Sequence, residues 1–411
     1  MAEPQRETAM ERDLVIIGHG MASQRLLESL VAGRHPWRIT VIGAEPERAY
    51  NRILLSPLLA GEVTPEQLSF AGPDWYQRHG IRLHTGDGAR TIDREQCCVV
   101  TEQGARFDYD RLVIATGSRP SSLGLEGENL QGVMGFRSLA DVHWLTEQAA
   151  EGRRAVVIGG GFLGLEAAEG LRKQGMAVTL VHRGAYPLTR QLDATAGGLL
   201  VETLRERGLK LALNSQPARL VGSSRVEALE LADGTELPAE LVVIAAGITP
   251  NREIAADAGL DCGQGIRVDE CLTTSDPRVH ALGECCEFAG QTYGLVEPVN
   301  RQADVLAQHL SGLTAGYRDE PVATRLKISG IDVFSCGETD NPGDGTESIV
   351  YHDRRAGEYR HLLLRDNRLV GAILYGDASA GPWLFEHLQQ GTDLSDWRPR
   401  LAFGEAHCEA A

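Results

Sequence analysis

The feature that most restricts this chain is a unit that occurs twice. Residues 13–17, DLVII, read as a buried strand running into GHGMAS at 18–23. A helix through Val31 follows, then a second strand, RITVI, from Arg38 to near Glu45. RAVVI at 154–158 likewise runs into GGGFLG at 159–164, a helix through Leu171, and AVTLV reaching His182. Strand, glycine turn, helix and strand make a βαβ unit, which implies a parallel sheet. After the first copy come IRLH (81–84), CCVV (97–100) and RLVIATG (111–117), with a turn at Gln103-Gly104. After the second come LKLAL (209–213), VEALEL (226–231) and LVVIAAG (241–247), with a turn at Asp233-Gly234. Later, DPRVHALG (276–283) reads as another buried strand, and GLVEPVNRQADVLAQHL from Gly294 as a helix with apolar residues at helical spacing.

The expectation is an α/β fold with two Rossmann-like domains, the second inserted in the first. The first module takes 13–120 and 246–318, the second 121–245. From 319 the pattern changes to alternating strands: TRLKIS, IDVFSCG, ESIVYH, EYRHLLLR and NRLVGAILYG, with Asp366-Asn367 as a hairpin turn and a helix over 381–390. Residues 319–411 are therefore read as a C-terminal α+β domain. Residues 1–12 read as a flexible leader lacking the apolar segment of a secretory signal.

A glycine turn between strand and helix lets the backbone approach a pyrophosphate. The free N–H groups and dipole of the helix start then stabilise its charge. In the first module Gly18 makes the turn, Gly20 permits the approach, and Ser23 takes the place of a third glycine. In the second, Gly159, Gly161 and Gly164 hold these places, and Phe162 and Leu163 open the helix. Either motif alone is as well explained by a tight turn; two copies in matching contexts favour dinucleotides. Glu45, 27 residues beyond Gly18, suits a ribose diol, with a solvated loop carboxylate as the alternative. His182 and Arg183 stand at that place in the second module, and cations there suit the 2′-phosphate of NADPH. The alternative is that both lie at a surface turn. Arg190 is a further phosphate partner or a solvated arginine.

Other functions are excluded by composition. With 40 basic and 57 acidic residues the net charge is −17, which argues against a nucleic-acid or anionic-membrane partner. No apolar run approaches the ~18 residues of a membrane span. The eight cysteines form no CxxC, so zinc ribbons, iron–sulfur ligation and dithiol relays lack support. Two pairs, Cys97-Cys98 and Cys285-Cys286, are adjacent and read as reduced thiols of a cytoplasmic protein. No metal site is expected. Trp383 reads as core rather than as a cofactor contact.

GHGMAS, IATGSRP, GGGFLGLE and VHALGEC together resemble the two-dinucleotide-domain flavoprotein reductases, the ferredoxin- and rubredoxin-reductase class with its glutathione-reductase-like fold. YNRILLSPLLAGE (50–62), RQLD (190–193), GECCEFAGQTYGLV (283–296), LKISGIDVFSCGE (326–338) and NRLVGAILYGD (367–377) sharpen the resemblance. They are similar to the N-terminal flavoprotein part of the assimilatory nitrite reductase large subunit. They are equally similar to the stand-alone electron-transfer flavoprotein subunit of assimilatory nitrate reductase. The resemblance covers about residues 12–404.

It implies FAD in the first module and NAD(P)H in the second. Thr116 and Gly117 would line the FAD site, Arg52 would lie near it, and Glu284 would hold the ribityl chain. Val296, with Glu297, would open a helix aimed at the flavin pyrimidine edge. Gly247 would join the NAD(P)H site, and Glu166 would lie near the nicotinamide. Many ferredoxin reductases pair that glutamate with a lysine; here Ser56-Pro57 occupies the stretch, so the pair is not carried over. Glu166 also reads simply as an acid in a first helical turn. Reaction would centre on the flavin, with no catalytic side chain.

The implied function is an NAD(P)H:acceptor oxidoreductase. Its partner would be a nitrate or nitrite reductase catalytic subunit, since the 411 residues leave no room for a sirohaem–iron–sulfur domain. The alternatives are a rubredoxin or ferredoxin reductase and a flavin-bound redox sensor.

Overall fold

A computed structural model describes residues 12–328, 330–339 and 343–408. The chain divides into two compact units. One takes residues up to Leu55, Thr64–Arg119 and Ile248–Glu320; the other takes Ser56–Val63, Pro120–Gly247 and the chain from Pro321. Five helices bear on function: α1 (Met21–Ala32), α2 (Phe162–Lys173), α3 (Ala194–Glu206), α4 (Val296–Leu310) and α5 (Gly381–Gln390).

The first unit is built on a parallel sheet in the order Val279–Ala281, Arg111–Ile114, Arg12–Ile17, Trp37–Gly43, Arg82–Thr85. Its strands are near-continuous apolar runs because both faces are covered. Leu26, Leu27 and Leu30 of α1 are buried, as are Val299, Ala303 and Leu306 of α4, and these helices pack together. Each of the leucine and valine side chains contributes about 1.5–3 kcal/mol by leaving water. Arg25 and Ser29 of α1 both donate to Asp304 of α4, at 2.8 and 2.6 Å. The strand that completes the sheet, Val279–Ala281, follows the inserted segment in sequence. The strand expected to run to near Glu45 ends at Gly43, leaving Glu45 in the loop beyond. CCVV is shifted by one residue: Cys97 has a left-handed φ of 52°, and the strand is Cys98–Thr101.

The second unit repeats the parallel order: Lys210–Ala212, Ala177–Val181, Arg154–Ile158, Leu241–Ile244, Val133–Gly135. The Ser121 N–H donates to the Gly247 carbonyl at 3.0 Å, so the two ends of the inserted segment meet. Residues 56–63 lie on α2. A Cβ at Gly170 would come within 2.9 Å of the Leu59 side chain, and Gln174 donates to the Leu59 carbonyl at 2.8 Å.

The same unit contains an antiparallel sheet in the order Ala323–Ile328, Ile331–Gly337, Arg368–Tyr375, Glu358–Arg365, Glu347–Asp353. Asp366 and Asn367, with φ of 51° and 57°, make the tight hairpin the sequence suggested. One sheet face packs Phe334, Leu362, Leu364 and Leu374 with Trp383 and Leu384 of α5, so Trp383 is core. The other face presents Tyr359, His361 and Tyr375; Tyr375 shares a 2.7 Å hydrogen bond with Thr203 of α3. Among the described residues, no helix is long and apolar enough to cross a membrane.

Candidate functional site

The two glycine turns have one geometry. Gly18 has φ +104°, and a Cβ there would lie 2.1 Å from the Ala115 carbonyl oxygen. Gly159 has φ +127°, and a Cβ there would lie 2.3 Å from that of Ala245. Only glycine fits either place. The third position differs in kind. A Cβ on Gly164 would lie 1.9 Å from the Gly159 carbonyl oxygen, whereas Ser23 turns its place to use by donating to the Gly18 carbonyl at 2.5 Å.

The middle glycines behave in the opposite way. Gly20 and Gly161 are the N-caps of α1 and α2, and a Cβ on either would meet no protein atom within 4 Å. Neither helix has a side-chain cap or an acid in its first turn. The first N–H groups of a helix need partners. Here each helix starts at a backbone bare of side chains, with room beside the glycine, which is the cradle a pyrophosphate fits. Phe162 and Leu163 are half-buried at the start of α2.

One pair of positions is exchanged between the modules. In the first, His19 sits between the glycines, and a Cβ at Gly43 would come 3.0 Å from its Cβ. In the second, Gly160 sits between the glycines, and a Cβ there would lie 2.6 Å from the His182 ring. The strand pairings, Ile17 with Ile42 and Ile158 with Val181, make Gly43 the counterpart of His182. A histidine thus meets a glycine across the same strand pairing in each module, from opposite sides.

Both rings have pKa values below that of a free imidazole. Burial, then Arg48, lowers His19 to about 4, with Glu45 opposing. Burial, then Arg183, lowers His182. The Gly160 N–H reaches His182 Nδ1 at 3.2 Å, which requires that nitrogen to accept. At this strand end His182 packs against the Gly160 backbone, and the exposed side chain is Arg183.

Around the first turn, Glu45 is half-buried and accepts from Tyr50 at 2.7 Å and from Arg52. A carboxylate has about four lone-pair sites, so two remain for a ribose. Arg52 also lies over the Tyr50 ring at 4.9 Å. Burial opposes its charge, but Tyr50, Glu45 and Glu284 raise its pKa above the ordinary value. Glu284 accepts from Ser118 at 2.7 Å. Thr116 and Gly117 are held by Asn251. Its backbone N–H donates to the Gly117 carbonyl at 2.9 Å, its side-chain amide to the Thr116 carbonyl at 3.0 Å, and its carbonyl accepts from the Thr116 hydroxyl at 2.6 Å. Val296 begins α4, whose N-terminus also lacks a side-chain cap.

In the second unit, Glu166 accepts from Ser56 at 2.7 Å. Burial pushes its carboxyl up, and the Ser56 hydroxyl partly offsets this. Serine thus supplies a neutral partner where the resemblance would have offered a lysine. Gly247, φ +133°, keeps its Cα open towards Ser121. Sequence reasoning passed over His19, Ser118 and Asn251. His19 lies inside GHGMAS and Ser118 inside IATGSRP, but Asn251 carries no signal of its own.

Comparison with known proteins follows this geometry. The family described as pyridine nucleotide-disulphide oxidoreductase matches residues 12–304, and the rubredoxin NAD+ reductase C-terminal domain matches 321–392. The chain is 40% identical over 388 residues to a nitrite reductase [NAD(P)H] of Bacillus subtilis, covering 94% of this chain and 48% of the relative. It is 40% identical over 384 residues to the assimilatory nitrate reductase electron transfer subunit of the same organism, covering 93% of this chain and 50% of the relative. It thus spans about half the length of these curated relatives. A solved covalent putidaredoxin reductase–putidaredoxin complex matches with a TM-score of 0.85 at 28% identity, over 96% of each chain.

Proposed function

The chain belongs to the pyridine nucleotide-disulphide oxidoreductase family, and on that footing we propose that it draws electrons from NAD(P)H through FAD and delivers them to an assimilatory nitrate or nitrite reductase catalytic subunit. The observation that carries this reading is the pair of uncapped helix starts, each behind a glycine whose missing Cβ would meet no protein atom within 4 Å. Bound FAD supplies two-electron acceptance from NAD(P)H and release of electrons to a second protein.

The chain's residues bind and orient. Gly18, Gly20 and Ser23 shape the FAD pyrophosphate turn, Glu45 takes the adenosine ribose, and Arg52 steadies Glu45. Thr116, Gly117 and Glu284 line the remainder, and Val296 opens α4 towards the flavin. Gly159, Gly161, Phe162, Leu163 and Gly164 form the NAD(P)H turn. His182 and Arg183 complete its adenosine end, and Glu166 and Gly247 its nicotinamide side. No side chain need move a proton. The eight cysteines, read as thiols, suit a reducing cytoplasm.

NADPH is expected to be accepted at least as well as NADH. A charged contact to the 2′-phosphate is worth about 1.5–3 kcal/mol, or roughly ten- to a hundredfold. Arg183→Glu should shift the ratio of kcat/KM values towards NADH by that factor. An unchanged ratio would show that Arg183 does not read the phosphate.

The acceptor is tested directly. With NAD(P)H, the 411-residue chain is expected to reduce ferricyanide but neither nitrate nor nitrite. Adding a nitrate reductase catalytic subunit should produce NAD(P)H-dependent nitrate reduction. The rate should vary with ionic strength, because a net charge of −17 acts over the Debye length. Nitrate or nitrite turnover by the chain alone would overturn the reading. A second reading, a reductase for a small rubredoxin- or ferredoxin-like protein, draws on the end-to-end likeness to putidaredoxin reductase. Rapid rubredoxin reduction with no transfer to a nitrate or nitrite reductase would favour it.

A further inference from the structure

Residues 182–193 run from the end of the strand Ala177–Val181 to the start of α3 and carry His182, Arg183 and Arg190. This loop is gripped by the C-terminal sheet. Asp193 caps α3, with Oδ1 accepting from the Ala196 N–H at 2.9 Å. Its other oxygen accepts from the Tyr359 hydroxyl at 2.6 Å and pairs with His361 Nδ1 at 2.8 Å. Tyr359 and His361 are two apart on one strand, so both face α3. The other ring nitrogen of His361 meets the Ser348 hydroxyl at 3.0 Å on the neighbouring strand. Thr339 donates to the Arg190 carbonyl at 2.9 Å.

The grip continues to the glycine turn. Leu192 donates to the Leu188 carbonyl at 3.0 Å, and Leu188, held at φ +59°, donates to the Gly160 carbonyl at 2.8 Å. The Gly160 N–H in turn meets His182. Hydrogen bonds, joined by the short backbone from Asp193 to Leu192, therefore lead from the C-terminal sheet to the nucleotide turn. Burial works against the Asp193 charge, but the bonds from His361 and Tyr359 keep its carboxyl below the usual range.

We infer that the C-terminal sheet sets the conformation of the nucleotide-reading loop, with Asp193, Tyr359 and His361 as positioning residues for NAD(P)H. This rests on the reading of Arg183 given above. A purely local role for Asp193 as a helix cap makes a different prediction, because asparagine caps as well as aspartate. Asp193→Asn keeps the cap and removes the charge that holds Tyr359 and His361; Tyr359→Phe removes one donor and leaves the cap untouched.

The test measures equilibrium binding of NADPH and NADH to the FAD-loaded protein by calorimetry, with hydrogen exchange over 182–193 and steady-state kinetics alongside. Both variants are expected to weaken NADPH about five- to tenfold, the scale of one ordinary hydrogen bond lost from the loop's support. Exchange over 182–193 should quicken, and KM should rise without a matching fall in kcat. Arg183→Glu serves as the reference. If it weakens NADPH while Asp193→Asn and Tyr359→Phe bind within twofold of the parent, the positioning role is wrong and the loop reading stands. If Arg183→Glu has no effect either, both fall together.

Discussion

Gly20→Val is expected to give a folded but colourless chain. The backbone at Gly20, φ −105° and ψ −164°, is open to any residue, and a Cβ there touches no protein atom within 4 Å. The substitution should therefore leave the apoprotein's melting temperature nearly unchanged. What the side chain fills is the space at the bare start of α1, where a pyrophosphate must come close to the N–H groups. FAD affinity should fall at least a hundredfold, about 3 kcal/mol. The measurement is the ratio of absorbance at the flavin band to that of the protein, before and after incubation with excess FAD. A variant that purifies with stoichiometric FAD would remove Gly20 from the site. Gly18 is the control of opposite sign: its Cβ would strike the Ala115 carbonyl at 2.1 Å, so Gly18→Val should lose the fold itself.

The second large effect is on stability in mild acid. His280, on the strand that completes the first sheet, is 1% exposed. Burial, then the neighbouring charges of His309 and Arg111, lowers its pKa from 6.5 to about 3. In the unfolded chain it takes a proton near pH 6.5, which the folded chain refuses until about pH 3. A histidine depressed in this way favours the unfolded state as pH falls, so stability drops from about pH 6.5 downwards. By pH 4 the loss from this one group should reach about 3 kcal/mol. Carboxylates held low by their partners, such as Asp276 beside Arg94 and Arg278, lose their contributions only below the ordinary carboxylate range. Between pH 6.5 and 4, His19, lowered to about 4, and His35 and His182, also lowered by burial, act in the same direction, so the share of His280 in that window is the difference between the parent and a variant at that position. Urea midpoints across that window should fall steeply for the parent and less steeply for His280→Asn, which can still bond Thr273 without titrating. Parallel slopes would show that His280 is protonated in the folded protein.

The sequence was informative where structure is local. Two strand–glycine–helix units, the hairpin at Asp366-Asn367 and the helix from Gly381 to Gln390 follow from periodicity and turn chemistry alone. So does the insertion, because the modules repeat in order. The sequence was silent on which side chain fills a space created elsewhere. Nothing in His182 signals that it turns onto Gly160 rather than outward to a phosphate. That depends on the absent Cβ at 160, across the parallel pairing of two strands. The same holds for Asn251 on Thr116 and Gly117, far apart in sequence. The alternation in Glu358–Arg365 shows that Tyr359 and His361 share a face, but not that α3 covers it.

The meeting of Ser121 and Gly247 bears on how the chain folds. The strand Arg111–Ile114 must wait for Val279–Ala281, more than 160 residues later, before its sheet is complete. Pairing of such distant segments is slow because the intervening chain must first be gathered in. For a flexible loop the length of the insert, the length-dependent entropy of closure is about 4 kcal/mol. Once the inserted segment has folded and its ends are fastened 3.0 Å apart by that hydrogen bond, only residues 115–120 and 248–278 remain to be ordered between the two strands. The insert therefore acts as an intramolecular splint. It should acquire protection in pulse-labelled refolding before the first sheet does, and the dinucleotide cradle behind Gly20, which needs that sheet, should be among the last parts to form.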